Sequence, residues 1–459
     1  MNWDVTADTL HRTVKLLMDS GKARTPEEAR SFLESRVLQV AVGREIGGDL
    51  AAQAALLTVI NAGHRAFLGG VLVHLDGTPR LDVSWAAGLT LSEAVVRFGG
   101  QIVDHLDSAR PTLAIARPAD PVGAPLLYVT HRGWVGGVVE SRDALLEGGG
   151  TEPAGIAAGA LGLSEAFQHE LGDPVPGRRD VGVSLWRPDL HWCDPRAIGS
   201  ELLYLPASLW LLGLGHLGQA YGWVLGMLPY ACPGDVSLGL VDYDGVVEGN
   251  LATQLLVRPD DVDRRKTRVV ANALEALGFH TVIVERAFDE NFHPDIRRSE
   301  PTIALAGFDS RQPRLLLGDD RLPWVVDGGL GTGAVEYLDI VVNTFPSPQD
   351  PAAAFPPARP RRTPLPDAYE AEIACQVEGG ASDEAVRCGI LAIAGVNIGA
   401  AFVGAFAATL VVSDVLRLLN GGEPFSVVHV DLRHPENLRA VPNTAPGAPT
   451  PAFTKARSS

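Results

Sequence analysis

Cysteine is scarce in this chain: four among 459 residues, Cys193, Cys232, Cys375 and Cys388. So few exclude a disulfide scaffold, and none form a C-x-x-C pair, which excludes a closed structural zinc site of that type. Positive charge is short as well. Lysine and arginine total 38 against 55 aspartates and glutamates, giving a formal net charge of −17. That balance argues against a general affinity for nucleic acid or acidic membranes. The opening residues, MNWDVTADTL, lack a basic start followed by an apolar stretch. No secretory signal is visible there, and a reducing cytoplasm is the expected compartment.

What is present is globular in character. With 46% hydrophobic and 20% charged residues, the chain has ample material for buried cores and is not wholly disordered. Its length suggests two to four domains at about 150 residues each. Two charge-free runs, 202–234 and 391–412, exceed the roughly 18 apolar residues that raise the question of a membrane span. The first is broken by Pro206, Pro229, Pro233 and turn glycines. The second, LAIAGVNIGAAFVGAFAATLVV, is rich in Gly and Ala, which let a helix pack closely, and basic flanking loops are absent. Both runs read as core, not membrane.

Residues 1–36 read as two short helices, Thr6 capping the first, Gly21 ending it, and Thr25-Pro26-Glu27-Glu28 opening the second. The apolar run 37–42 then leads into Gly43, Gly47 and Gly48, an Ala/Leu-rich helix to about Asn61, and an apolar stretch ending at Asp76. Strand, glycine turn, helix and strand make half of a dinucleotide-fold unit. The same order returns later. Residues 209–212 enter a turn with Gly213, Gly215 and Gly218, a helix runs to about Leu228, and strand 236–241 ends at Asp242. TLAIA at 112–116 echoes TIALA at 302–306, and LSEAF at 163–167 echoes VSDVL at 412–416, each of these last helices stopping at glycine (Gly172, Gly421).

Four matches in one order predict a tandem duplication: two α/β halves, Rossmann-like and three-layered, with largely parallel sheets. The expected boundaries are 1–173 and 206–435, joined by a Pro/Arg/Trp-containing connector at 174–205. Inside the second half, FPSPQDPAAAFPPARPRRTPLP at 345–366 is too proline-rich for helix or central strand and reads as an extended crossing loop. Residues 443–459 read as a disordered tail.

The chemistry concentrates in the second half. LWLLGLGHLGQA places G-x-G-x-x-G directly after a strand and at the start of a helix, whose free N–H groups and positive dipole suit phosphate. Asp242, 24 residues past Gly218 at a strand end, can accept ribose hydroxyls. Alone, this turn serves NAD and ATP equally, or merely packs a helix on a strand. The stretch VDYDGVVEGNLATQLLVRPDDVDRRK followed by GFDSRQPR separates the cases. It resembles the ThiF-like adenylyltransferases and the adenylation domains of ubiquitin-activating enzymes, which carry a strand-end D-x-D, then N-L-x-R-Q, a lysine, and D-x-x-x-x-R. Here these fall at Asp242 and Asp244, Asn250 and Gln254, Lys266, and Asp309 with Arg314. The resemblance covers roughly 205–435 and extends faintly to SRVLQVAVGREIGG in the first half.

The resemblance implies a nucleotide loop shaped by Gly213, Gly215 and Gly218, a ribose held by Asp242, and a triphosphate against Asn250, Gln254 and Lys266. It further implies Mg²⁺ on Asp309, with Arg314 bracing the Asp309 loop. Read singly, each residue has a plainer use: a strand-end Asp as turn former, Lys266 as a solvated helix charge, Asp309-Ser310 as a helix cap. The chain also departs from the family. Thr253 stands where arginine is expected, leaving Arg258, Arg265 or Arg268 as substitutes. His216 replaces a common loop glycine, and the family's zinc cysteines are absent. The first half has Asp76 near the ribose position but no lysine–aspartate set, Pro118–Asp120 follow its strand where Asp309 would sit, and Glu45 lies inside its turn. It reads as a degenerate partner, making a pseudo-dimer within one chain or part of a homodimer, with Arg12, Arg24 or Arg30 as possible arginine donors.

Cys388 lies where some relatives carry a sulfur-handling or thioester cysteine, and is the candidate nucleophile; Cys375 is nearer the crossing loop. Cysteine is also a commonly buried residue, and burial is the favoured reading of both. Together these features predict an ATP- and Mg²⁺-dependent adenylyltransferase acting on the C-terminus of a ubiquitin-like protein or peptide. A catalytically weakened scaffold of the same descent and an NAD(P)-dependent oxidoreductase stay open, although the latter leaves Asn250, Lys266 and Asp309 without a role.

Overall fold

The computed structural model describes residues 3, 5–294, 300–318, 321–357, 365–378, 382–445 and 452–457. Seven strands form the first sheet: β1 (Leu38–Val42), β2 (Val71–Leu75), β3 (Gly100–Ile102), β4 (Thr112–Ile115), β5 (Leu126–Arg132), β6 (Val135–Val139) and β7 (Val181–Ser184). After β8 (Tyr204–Pro206) the second sheet takes β9 (Ser208–Leu212), β10 (Ser237–Val241), β11 (His280–Val284), β12 (Ile303–Ala306), β13 (Trp324–Leu330), β14 (Asp339–Phe345), β15 (Phe425–Asp431) and β16 (Arg439–Pro442). The chain closes with β17 (Phe453–Lys455).

The strand orders are β3-β2-β1-β4-β5-β6-β7 and β11-β10-β9-β12-β13-β14-β15-β16. They are the same order with one strand added. In both sheets the first five strands pair in parallel and the following ones antiparallel. The tandem Rossmann-like reading is therefore met strand for strand, including the TLAIA and TIALA echo, which becomes β4 and β12.

The helices are α1 (Arg12–Asp19), α2 (Pro26–Glu34), α3 (Leu50–Gly63), α4 (Leu91–Arg97), α5 (Glu152–Glu170), α6 (His216–Met227), α7 (Lys266–Glu275), α8 (Arg311–Arg314), α9 (Pro351–Ala354), α10 (Asp367–Glu378), α11 (Asp383–Ala394) and α12 (Ala401–Leu419). In the first half α3 and α5 lie on the sheet; in the second α6 and α12 do, and the two pairs pack face to face between the sheets. These helices are apolar around nearly their whole circumference, as burial on both sides requires. Small residues set the spacing. A Cβ on Gly155 would fall 1.9 Å from the carbonyl oxygen of Ala51, so α5 presses directly on the backbone of α3. The long apolar helix α12 passes the length test for a membrane span, yet most of it is buried inside this double helical layer. On the outer face of the second sheet, Trp210, Phe288, Phe292, Leu317 and Phe355 form a separate apolar cluster under irregular chain and α8.

Several expectations change. Helix α1 starts at Arg12 with His11 in the cap position; Thr6 instead closes a preceding turn with Thr9. Thr25 does cap α2, accepting from Glu28 N–H. The connector read at 174–205 contains β7, which completes the first sheet beside β6; four residues with two apolar positions are too short to show periodicity. The crossing loop at 345–366 includes a one-turn helix, α9, with Asp350 as cap and proline at its first position, a place where proline is tolerated. Residues 358–364 of that loop lie outside the described residues. The tail read as disordered at 443–459 includes β17, paired antiparallel with β8 and held by Tyr204 against Phe453; the stretches 446–451 and 458–459 lie outside the described residues.

A buried ion pair ties α12 to its sheet. Asp414 and Arg417, both 1% exposed, are joined by a charge-assisted hydrogen bond of 2.5 Å, and Asp414 also accepts from the Thr344 hydroxyl at 3.1 Å. Asp414→Ala would leave a buried guanidinium without its carboxylate. The expected loss is about 3–5 kcal/mol of folding stability, read by chemical denaturation.

Candidate functional site

The second half presents its chain reversals at the C-terminal ends of β9, β10 and β12. Gly213 adopts φ +81°, the left-handed region open to glycine. A Cβ on Gly218 would fall 2.0 Å from the Gly213 carbonyl oxygen, whereas one on Gly215 would meet nothing within 4 Å. The turn is tight beneath and open above. Asp242 spans two loops: its Oδ2 accepts from Leu214 N–H and its Oδ1 from Asp244 N–H, both at 2.7 Å. Asp244 in turn meets Lys266 Nζ at 2.9 Å, and Lys266 N–H donates to the Asp244 carbonyl. Lys266 is only 9% exposed, so it is a placed cation, not a solvated helix charge.

The segment after the D-x-D folds on itself. Asn250 Oδ1 accepts from Val247 N–H, while its carbonyl accepts from Thr253 and Gln254 N–H. Gln254 is turned into the protein, accepting from Gln219 Nε2 of α6 at 2.6 Å. Thr253 is buried with its methyl against Gly399. Of the substitutes, Arg268 pairs with Glu285 and Arg265 donates to the Tyr243 carbonyl. Among Arg12, Arg24 and Arg30, Arg12 is the one seen against this segment, its guanidinium carbon 3.4 Å from where a Gly249 Cβ would lie. Gly249 N–H also donates to the Asp8 carbonyl at 2.6 Å.

His216 shows how the turn accepts a side chain. Its ring lies against Gly404 and Gly399, beside the backbone of Ala400 and Ala401 at the start of α12. Burial pushes its pKa down to about 4, so the imidazole is neutral. Asp309 follows β12 and is exposed; among the described residues its carboxylate makes no hydrogen bond or ion pair. Arg314 braces that loop as expected, donating to the carbonyls of Phe308 and Gly328.

Asp327 and Arg65 were not foreseen. Asp327 of β13 is fully buried, 3.5 Å from Arg314 Nε, with no hydrogen-bond partner on either oxygen. A lone acid inside the apolar run WVVDGGL was the available signal. Arg65, at the end of α3, reaches from the first half to the Leu251 and Val257 carbonyls; nothing local in its sequence marks it.

In the first half the corresponding turn differs: Gly43 takes φ −80° and leads into a short helical turn, Arg44–Gly48. A Cβ on Gly43 would fall 1.9 Å from the Ala116 carbonyl oxygen, against 3.1 Å between Gly213 and the Gly307 oxygen. Ala116 and Arg117 both take left-handed φ values, 55° and 53°, folding the end of β4 onto the turn. Arg117 then pairs with Glu147 at 2.6 Å and Glu45 at 3.8 Å. Asp76 accepts from Ala119 N–H.

Cys375 and Cys388 are both exposed, which corrects the expectation of burial. Val386, Ile390 and Ile393 are the inward positions of α11; Cys388 falls between them on the outer side.

Burial raises the Asp327 pKa to about 7, with Arg314 opposing. The folded carboxyl thus keeps its proton up to about pH 7, while the unfolded chain releases it near the ordinary value of about 3.9. This group's contribution to stability is full below the unfolded value and is lost as pH rises through the folded one. The melting temperature of Asp327→Asn minus that of wild type should therefore increase from pH 5 to pH 7.5; a flat difference would contradict the assignment.

Comparison with known proteins gives the family. The BilD N-terminal domain description matches residues 37–185 and the BilD C-terminal domain description 205–422. The bacterial E1-like protein BilD of Collimonas sp. (strain OK412) is 37% identical over 437 residues, covering 93% of this chain and 92% of that one. Among solved structures, E. coli MccB with ATP matches with a TM-score of 0.34 at 14% identity, over 52% of this chain and 65% of MccB. The E. coli tRNA N6-threonylcarbamoyladenosine dehydratase TcdA matches with a TM-score of 0.29 at 16% identity, over 46% and 85%. The two domain matches fall on the two sheets in turn, and the near full-length relative spans both: the chain belongs to the BilD family of bacterial E1-like proteins.

Proposed function

We propose that the chain is an ATP-dependent adenylyltransferase that activates a carboxylate, the C-terminus of a ubiquitin-like protein or peptide, in its second half. The observation that carries this reading is the network that joins Asp242, Asp244 and Lys266 to the turn Gly213–Gly218, with Asp309 following β12 at the same sheet end. The relative's description as E1-like supports the choice of substrate.

In this reading a carboxylate oxygen attacks the α-phosphorus, the bond to the bridging oxygen breaks, and pyrophosphate leaves. Lys266 offsets the crowded oxyanions and the free N–H groups of α6 face the phosphates. Asp242 holds the ribose while keeping the turn and the D-x-D loop together. Gln254 acts indirectly, locking the segment to α6 so that Asn250 faces the nucleotide. Arg12, from the same chain, supplies the cation that Thr253 cannot.

Asp309 fits Mg²⁺, because an exposed and unpartnered carboxylate beside a triphosphate matches that ion's habit of using one or two carboxylates plus phosphate oxygens. Bound there, the ion would neutralise developing charge on the leaving group. In this reading the first half is a degenerate partner, its turn approached closely by the backbone of Ala116 at Gly43 and lacking the lysine and aspartate of the second half. Cys388, exposed on α11, is the proposed acceptor: its thiolate attacks the acyl carbon and AMP leaves.

Two substitutions separate these steps. Asp309→Ala should abolish pyrophosphate release, by about 10²-fold or more, with circular dichroism unchanged. Cys388→Ser should keep pyrophosphate release but lose the thiol-reducible adduct on gels. Wild-type release in Asp309→Ala would sink the metal assignment, and a persistent reducible adduct in Cys388→Ser would move the acceptor elsewhere. Tight binding of NAD in place of ATP would favour the oxidoreductase reading.

A further inference from the structure

The first half reaches into the second at one polar point. Helix α3 is apolar along nearly its whole length, yet its last turn carries Asn61, and Arg65 follows. Asn61 Nδ2 donates to the Leu255 carbonyl at 3.0 Å. Arg65 spreads its guanidinium across four acceptors: Nε to the Asn61 carbonyl at 3.0 Å, Nη1 to the Leu251 carbonyl, and Nη2 to the Val257 carbonyl at 3.0 Å and Asn61 Oδ1 at 3.3 Å. Three carbonyls of residues 251–257 are thus held by two side chains from the other half. Asn250, Thr253 and Gln254 lie within or beside the stretch so clamped.

Arg65 is 7% exposed, and its acceptors are all neutral oxygens. Burying a guanidinium is costly unless its donors are satisfied. A packing role alone would be met by an apolar side chain of similar length. What only a planar fork provides is simultaneous reach to carbonyls in different directions. We infer that Asn61 and Arg65 are positioning residues that set the backbone of 250–257, so that the first half serves as the jig for the second half's nucleotide segment. This inference rests on reading that segment as part of the adenylating site.

The full-length chain with Arg65→Met, Arg65→Lys or Asn61→Ala tests it by two readouts. Hydrogen exchange without ligand should quicken about tenfold at the amides of Asn250, Thr253, Gln254 and Val257 in Arg65→Met, while α6 and β9 keep wild-type protection. Affinity for a non-hydrolysable ATP analogue should fall about tenfold, the counterpart of one lost charged hydrogen bond. Arg65→Lys should rescue neither, since one ammonium cannot span the Leu251, Val257 and Asn61 carbonyls. Asn61→Ala should show the same pattern more weakly.

Uniform quickening of α6, β9 and the segment together would make Arg65 a general packing residue and overturn the inference. Full rescue by lysine would do the same, showing that charge and not the fork matters, as would wild-type affinity in a variant whose segment has loosened. If Arg65→Met fails to fold, Arg65→Lys and Asn61→Ala give both readouts. If the wild type does not bind the analogue, the proposed function fails, and the exchange pattern still decides whether Arg65 positions the segment.

Discussion

The close seating of the two inner helix pairs is the constraint on which the rest depends. Both sheets turn an apolar face inward, and each covers it with helices whose other side must also leave water. The solution is a shared double layer: α3 and α5 against α6 and α12. Glycines at 155 and 159 let α5 approach the backbone of α3, and interiors packed at that density tolerate little sliding. Trp223 shows how polar atoms survive there. Its indole N–H donates to Thr58 across the halves at 3.0 Å, and its carbonyl accepts from the Trp85 indole at 3.0 Å. With the helices fixed, the turns at their ends are fixed as well.

That rigidity gives the asymmetry its meaning. Two sheets of the same strand order end in turns of different shape. In the first half the backbone of Ala116 and Arg117 comes close to Gly43, and Glu45 lies 3.8 Å from Arg117. In the second half the chain at Gly307 stays back and Gly215 faces open space. A half that binds no nucleotide is still needed if its helix holds the other half's loop.

The parts of this architecture that follow local rules were legible from sequence. A glycine turn between a strand and a helix, and the echo of TLAIA with TIALA, report backbone geometry that needs only a few neighbouring residues. The D-x-D, Asn250, Lys266 and Asp309 set was legible only by its resemblance to a family; the structure joins Asp242, Asp244 and Lys266 of it. What stayed hidden depends on distance. Asn61 and Leu255 are 194 residues apart, and no local pattern links them. Strand β17 exists because Tyr204–Pro206 offers it an edge; alone, its composition suggests a loose tail. The misreading of Cys388 has another cause. Cysteine's general tendency toward burial outweighed the local period, although Val386, Ile390 and Ile393 already mark the inner face of α11.

The central claim is that one half of a duplicated chain keeps a nucleotide site while the other has closed its own. Calorimetric titration of the full chain with a non-hydrolysable ATP analogue tests it most directly. The account predicts one equivalent bound per chain, lost when Lys266→Ala and Asp309→Ala are combined and retained when Glu45 is replaced by alanine. Two equivalents, or one that survives the double substitution and disappears with a change at Gly43, would show that the open and closed turns have been assigned to the wrong halves.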